Sequence, residues 1–182
     1  MTTENRKASS LSSIACAVTV LVAAMLACNL STPKPANDFV CYKGITPGQT
    51  KKADVVALLG DPTRTELDGS NEILLYPSPH PMQFNTIVFQ DQIVVLIDVI
   101  MGDEDALAFS EIKVLYGEPG QITYTNYIQG SMVYIYPDKG QAFIADENAD
   151  IVYTKQCFLP MSLEDYLNTW GKDLPTEDPF IL

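Results

Sequence analysis

The sequence predicts an α+β protein of two tandem helix-plus-antiparallel-β-meander units followed by a C-terminal helix. Three observations carry this expectation. A helix ending occurs twice, as Val55-Val56-Ala57-Leu58-Leu59-Gly60-Asp61-Pro62 and as Ile112-Lys113-Val114-Leu115-Tyr116-Gly117-Glu118-Pro119; Gly60 recurs as Gly117 and Pro62 as Pro119, a constant offset of 57. Each copy precedes short alternating runs separated by turn residues, the pattern of antiparallel strands. Near the end, Ser162-Leu163-Glu164-Asp165 reads as a helix-starting capping box.

In the first unit, residues 44–49 read as a loop and Thr50 as the N-cap of a helix ending at Leu59. Val55, Leu58 and Leu59 form its apolar stripe. Gly60 stops the helix in a left-handed cap and Pro62 prevents continuation. Strands are expected over 72–76, 84–89 and 93–100, with Pro77, Pro79 and Pro81 breaking the first from the second. The run Ile93-Val94-Val95-Leu96-Ile97 is too apolar for a strand with one wet face, which predicts cover on both sides or a central position against the second unit.

The second unit repeats the plan. The acidic residues Asp103, Glu104 and Asp105 suit a helix start, with a helix over 106–116 whose stripe is Ala108, Ile112 and Leu115. Strands follow over 121–127, 132–136, 141–145 and 150–156, joined by hairpin turns. Tyr76 and Tyr136 occupy matching places, Leu-Leu-Tyr-Pro against Tyr-Ile-Tyr-Pro. The last helix, 162–170, places Leu163, Tyr166, Leu167 and Trp170 on one face that docks on the sheet; the proline-rich acidic tail from Gly171 is expected to be mobile.

The N-terminus reads as an address. Arg6 and Lys7 precede an uncharged, mostly apolar run from Leu11 to Leu26. Sixteen residues at ~1.5 Å each span ~24 Å, short of the ~30 Å hydrocarbon core, which argues against an uncleaved anchor. Leu26-Ala27-Cys28 resembles a bacterial lipoprotein box. That resemblance implies lipidation of Cys28 after cleavage before it, and acyl chains that hold the protein on the membrane surface; an ordinary signal peptide is the alternative. The expected organisation is a lipoprotein signal peptide over 1–27, a lipidated tether over 28–38, units over 39–101 and 102–160, and a docking helix with acidic tail over 161–182.

Cys16 leaves with the signal, and lipidation occupies Cys28. Cys41 and Cys157 remain, and an even pair in an exported chain suggests a disulfide, with two buried thiols as the alternative. Cleavage removes Glu4, Arg6 and Lys7, so their net +1 comes off the formal −12 and leaves −13. Such a surface repels phosphate backbones, and nucleic acid is not an expected partner. His80 is the lone histidine and sits among prolines in Pro-Ser-Pro-His-Pro, so neither a Ser/His/Asp triad nor a zinc site is expected. Asp146-Glu147-Asn148-Ala149-Asp150 spaces its oxygens like the start of a calcium loop but lacks the glycine and closing glutamate, and reads as a hairpin turn. No enzyme activity, cofactor or metal is expected. Tyr134 and Tyr136 alternate onto one face, a candidate protein-binding surface if that face is open and a core face if it is covered.

The segments Ile45-Thr46-Pro47-Gly48-Gln49-Thr50, Val55 to Pro62, Leu74-Leu75-Tyr76 and Thr86 to Val94 together resemble the SmpA/OmlA (BamE-like) lipoprotein family. The second half resembles the same unit through Leu115 to Pro119 and Phe143 to Val152, and tandem units of this kind are similar in architecture to the β-lactamase inhibitor protein. The resemblance implies helices followed by an antiparallel sheet, and a non-catalytic lipoprotein on the outer side of a bacterial membrane that binds or scaffolds an envelope protein. An inhibitor or sensor of an exported enzyme and a small-ligand binder are the alternatives.

Overall fold

Eight antiparallel strands form one sheet in the order β1-β2-β3-β4-β8-β7-β6-β5, so the first four and the last four strands are two meanders joined through their final strands. The computed structural model describes residues 41–180; the expected signal peptide, the tether and Cys28 lie outside them. In chain order the elements are α1 (Lys52–Leu59), β1 (Arg64–Asp68), β2 (Asn71–Pro77), β3 (Phe84–Gln90), β4 (Ile93–Ile100), α2 (Phe109–Tyr116), β5 (Gln121–Tyr124), β6 (Met132–Tyr136), β7 (Gln141–Asp146), β8 (Ile151–Phe158) and α3 (Leu163–Asn168). Among the described residues the fold is mainly β with three α-helices.

The repeat is physical as well as textual. Gly60 and Gly117 both adopt positive φ, with φ/ψ of 83°/−167° and 76°/−147°. These angles lie near the extended mirror region that glycine alone adopts cheaply, rather than in the expected left-handed cap. Each glycine N–H donates at 2.9 Å to the carbonyl four residues back, Val56 or Lys113. The Tyr76 hydroxyl then donates to the Gly60 carbonyl and the Tyr136 hydroxyl to the Gly117 carbonyl, each at 3.3 Å. A register shift interrupts the ladder of the third and fourth strands in both halves, at Val88/Phe89 and at Ile144/Ala145.

Directly opposed residues share a face of an antiparallel sheet. Ile97 faces Cys157, Val99 faces Lys155, Phe143 faces Lys155 and Tyr134 faces Phe143. That face carries both repeat helices: Val55 of α1 packs with Leu74, Ile87 and Ile97, and Phe109 and Ile112 of α2 pack with Tyr134, Tyr136 and Phe143. The opposite face presents Leu96, Phe158, Ile135 and Ala142 to Tyr166, Leu163, Leu167 and Trp170 from α3 and the residues after it. β4 is central and covered on both sides, as its apolar run requires.

Several expectations change for local reasons. β1 was not expected: Arg-Thr-Glu-Leu-Asp has no apolar alternation, all five residues are exposed, and it is an edge strand whose charges discourage further pairing. Lys51 is the N-cap residue of α1, because the Thr50 hydroxyl accepts from the Thr46 N–H, 2.9 Å away, and organises the loop instead. Leu58 and Leu115 are 56% and 60% exposed, so the buried helix faces run through Val55 and Leu59, and through Phe109, Ile112 and Tyr116. α2 begins later than residue 106 because the Leu107 carbonyl accepts from Val152 N–H and the Asp150 carboxylate receives Ser110 N–H at 2.6 Å.

Ser162 caps α3 as expected, its hydroxyl accepting from Asp165 N–H at 3.1 Å. The tail after Gly171 does not hang free through Pro175. Gly171 N–H donates to the Tyr166 carbonyl at 2.8 Å, Leu174 packs into the α3 cluster, and the Pro175 carbonyl accepts from the Thr123 hydroxyl at 2.7 Å. A side chain at position 171 would meet the Tyr166 ring at 2.9 Å, so glycine there lets the chain turn tightly across the ring.

Candidate functional site

The face of the sheet under α3 holds a cleft of about 270 Å³. Its floor is the seam between the halves, where Asp98 of β4 pairs with Gln156 of β8. Its walls are Tyr166 of α3, Trp170, and the docked tail, with Tyr127 at 81% exposure on the rim. The seam is the antiparallel pairing of Leu96–Ile100 of β4 with Thr154–Phe158 of β8. Asp98 is the single charge in Ile93–Ile100 and lies on the α3 side with Leu96.

Two polar atoms in this cleft are buried without a hydrogen-bond partner among the described residues, Asp98 Oδ1 and Trp170 Nε1. Burial pushes the Asp98 carboxyl up to about 6. The Tyr166 hydroxyl donates to Gln156 Oε1 at 2.8 Å; burial first, and the Asp98 charge second, raise this phenol above its ordinary value. Gln156 Oε1 and the Tyr166 proton are thus engaged with each other, while the carboxyl oxygen and the indole N–H are directed at neither. The sequence held one sign of this arrangement, a lone carboxylate in an otherwise apolar strand.

Tyr134 and Tyr136, the candidate binding face, are 4% and 1% exposed. They are core residues: Phe109 of α2 lies on Tyr134 at 4.1 Å between ring centroids, and Tyr116 lies 5.4 Å from Tyr136. The alternation correctly put them on one face, but α2 covers that face. Burial pushes the Tyr134 phenol up to about 12, with Glu147 adding to the effect. Replacing Tyr136 by phenylalanine is expected to cost about 1 kcal/mol of stability through the lost bond to Gly117, read by urea unfolding; an unchanged midpoint would show that the hydroxyl does not hold the helix end.

Cys41 and Cys157 form a disulfide across a separation of 116 residues, with Cα atoms 6.1 Å apart. Beside it the buried Lys155 ammonium donates to the Cys41 carbonyl at 2.8 Å, and burial lowers its pKa to about 8. A disulfide of this kind belongs to chains that meet an oxidising compartment. His80 sits in an exposed turn with Nε2 3.1 Å from the Met101 carbonyl. The stretch from Asp146 to Asp150 is a turn in which Asp146 accepts from Asn148 and Ala149 N–H and Asp150 caps α2. Among the described residues no His/Cys/Asp/Glu group could hold a metal ion, and no helix is long and apolar enough to cross a membrane.

No family model and no curated protein matches the chain. Two solved structures are similar to it. A DUF4309 family protein (YjgB) from Bacillus subtilis aligns at a TM-score of 0.46 and 16% identity, over 64% of this chain and 82% of that one. An extracellular protein containing a SCP domain from Bacillus anthracis aligns at a TM-score of 0.45 and 12% identity, over 75% of this chain and 50% of that one.

Proposed function

We propose that this chain is an exported lipoprotein, anchored through Cys28, whose folded part binds a small ligand in the cleft over the β4–β8 seam. One observation carries the choice: Asp98 Oδ1 and Trp170 Nε1 are buried at the same cleft with no partner among the described residues. An unsatisfied buried polar group costs about 1–3 kcal/mol, more if charged, and a ligand that satisfies both repays that cost on binding. The lone apolar run before Cys28 and the disulfide support export. The helix-then-strands order in each half supports kinship with SmpA/OmlA-like units.

Trp170 is the single tryptophan in the chain, so its emission reports on this cleft alone. A small-molecule screen read by thermal shift and by Trp170 emission is expected to yield a compound that moves both; a compound at a hundredfold excess over its Kd adds about 2.7 kcal/mol. A flat response in both channels would overturn the ligand reading. Anchoring is tested separately: Cys28→Ser is expected to leave the membrane fraction, and its retention there after a carbonate wash would sink the lipid anchor.

A protein partner is the second reading, and a different observation favours it. Leu58 on α1 and Val114 and Leu115 on α2 are 56%, 90% and 60% exposed, on helices that share one face of the sheet. Crosslinking in the native membrane tests it: capture of one envelope protein that is lost with Leu115→Glu supports a scaffold, and capture unaffected by that change argues against this surface.

A further inference from the structure

Resting on the ligand reading above, we infer that the cleft recognises a small organic ammonium ion, with its positive charge set against Asp98 and a neighbouring acceptor taking the Trp170 N–H. Charge decides the class. The ionisable groups among the described lining residues are Asp98, Asp173, Tyr127 and Tyr166, and no lysine, arginine or histidine is among them. An anionic ligand would meet two carboxylates and no compensating cation. A carboxylate whose oxygen is buried without a donor is the group that gains most from an incoming cation, because the interaction replaces hydration lost on folding.

The walls fit the same class. Tyr127, Tyr166 and Trp170 present aromatic rings, and a cation over such faces gains electrostatically beyond ordinary burial. A cleft of about 270 Å³ suits a compact molecule of a few heavy atoms rather than a chain segment. Trp170 Nε1 is donor-only, so a ligand that satisfies both atoms carries an oxygen or other acceptor as well as its ammonium. Gln156 Oε1 already accepts from Tyr166 at 2.8 Å and keeps a second lone pair that an ammonium N–H can use. Asp173, exposed in the docked tail, adds a second negative charge at the rim, where it draws a cation in without fixing its position.

The test titrates the detergent-purified lipoprotein with ethanolamine, choline and cadaverine, with glucose and acetate as the neutral and anionic comparators. Ethanolamine is expected to change Trp170 emission saturably and raise the unfolding temperature, with acetate and glucose silent. Asp98→Asn is expected to weaken ethanolamine at least ~30-fold, as removal of one partner of a buried charge pair does. Asp173→Asn is expected to weaken it only a few-fold. A saturable response to glucose or acetate, with all three ammonium probes silent, overturns the cation class and leaves the ligand-binding cleft standing. Silence to all five overturns the cation class, and the broad screen then decides the cleft itself. Equal ethanolamine affinity in wild type and in folded Asp98→Asn also overturns the assignment.

Discussion

Reduction of the Cys41–Cys157 disulfide lowers the unfolding free energy by about 4–5 kcal/mol in the loop-entropy treatment. The bridge closes a loop spanning 116 residues, which takes in both meanders, so its loss frees the unfolded chain of its longest constraint. The native side loses as well. Cys157 lies on central strand β8 at 1% exposure, and the segment from Cys41 to Ile45 is held to the sheet by the disulfide, by the Lys155 bond to the Cys41 carbonyl, and by Ile45 at 0% exposure. Without the bridge, the Lys155 bond, buried Ile45 and the Asn85 bond to the Tyr42 hydroxyl are left to resist peeling of that segment. For a domain of this size the melting temperature is expected to fall by roughly 10–20 °C. Calorimetry with and without a phosphine reductant, with alkylation to verify reduction, reads the effect. A fall under ~1 kcal/mol would mean that the constraint is already present in the unfolded chain.

Asp98→Asn stabilises the purified protein at pH 7 and loses that advantage at pH 4. The carboxyl titrates at about 6 in the fold and near ~3.9 in an unfolded chain, so the folded state keeps a proton that the unfolded state has released. The raised value makes ionisation a cost to folding. That cost is absent below pH ~4, grows between about pH 4 and 6, and is complete above, on the order of 2–3 kcal/mol. The groups around Asp98 do not relieve it: its cross-strand neighbours Thr86 of β3 and Gln156 of β8 are neutral, Tyr166 of α3 donates to Gln156, and Asp173, in the same cleft lining, is itself acidic. Asparagine removes the charge but still buries an amide, so the expected gain at pH 7 is about 1–2 kcal/mol. Urea unfolding at the two pH values measures it. A loss of stability at pH 7 would show that the carboxylate has a stabilising partner in solution. The same variant that stabilises the fold is expected to lose the ammonium response, which separates a binding residue from a merely structural one.

Much of the fold was legible because it depends on neighbours in sequence. Gly60 and Gly117 stop helices because only glycine reaches their backbone angles cheaply. Ser162 caps α3 because its hydroxyl is within reach of Asp165 N–H whatever the rest of the chain does. Seven of the eight strands, β2 to β8, follow from apolar alternation or continuous apolar runs in residues 72–156. β5, expected to reach residue 127, ends at Tyr124 because Thr125 and the turn after it leave the ladder. β1 escaped notice because an exposed edge strand buries nothing and so carries no alternation.

Local sequence carried the grammar: a duplicated helix stop, the strand periods, a capped last helix, and a cysteine pair, Cys41 before the first meander and Cys157 in the last strand. Which surfaces are covered followed from long-range packing. A period of two places Tyr134 with Tyr136 and Leu96 with Asp98, but it does not say which side of a strand will meet a helix. That depends on β4 joining β8, which puts α1 and α2 on one face and leaves the other to α3. The two tyrosines are thereby buried under α2, and Asp98 is carried to a cleft that Trp170 also lines. Asp98 and Trp170 are 72 positions apart in the chain, a distance that no local pattern spans and that only the long-range pairing of β4 with β8 closes.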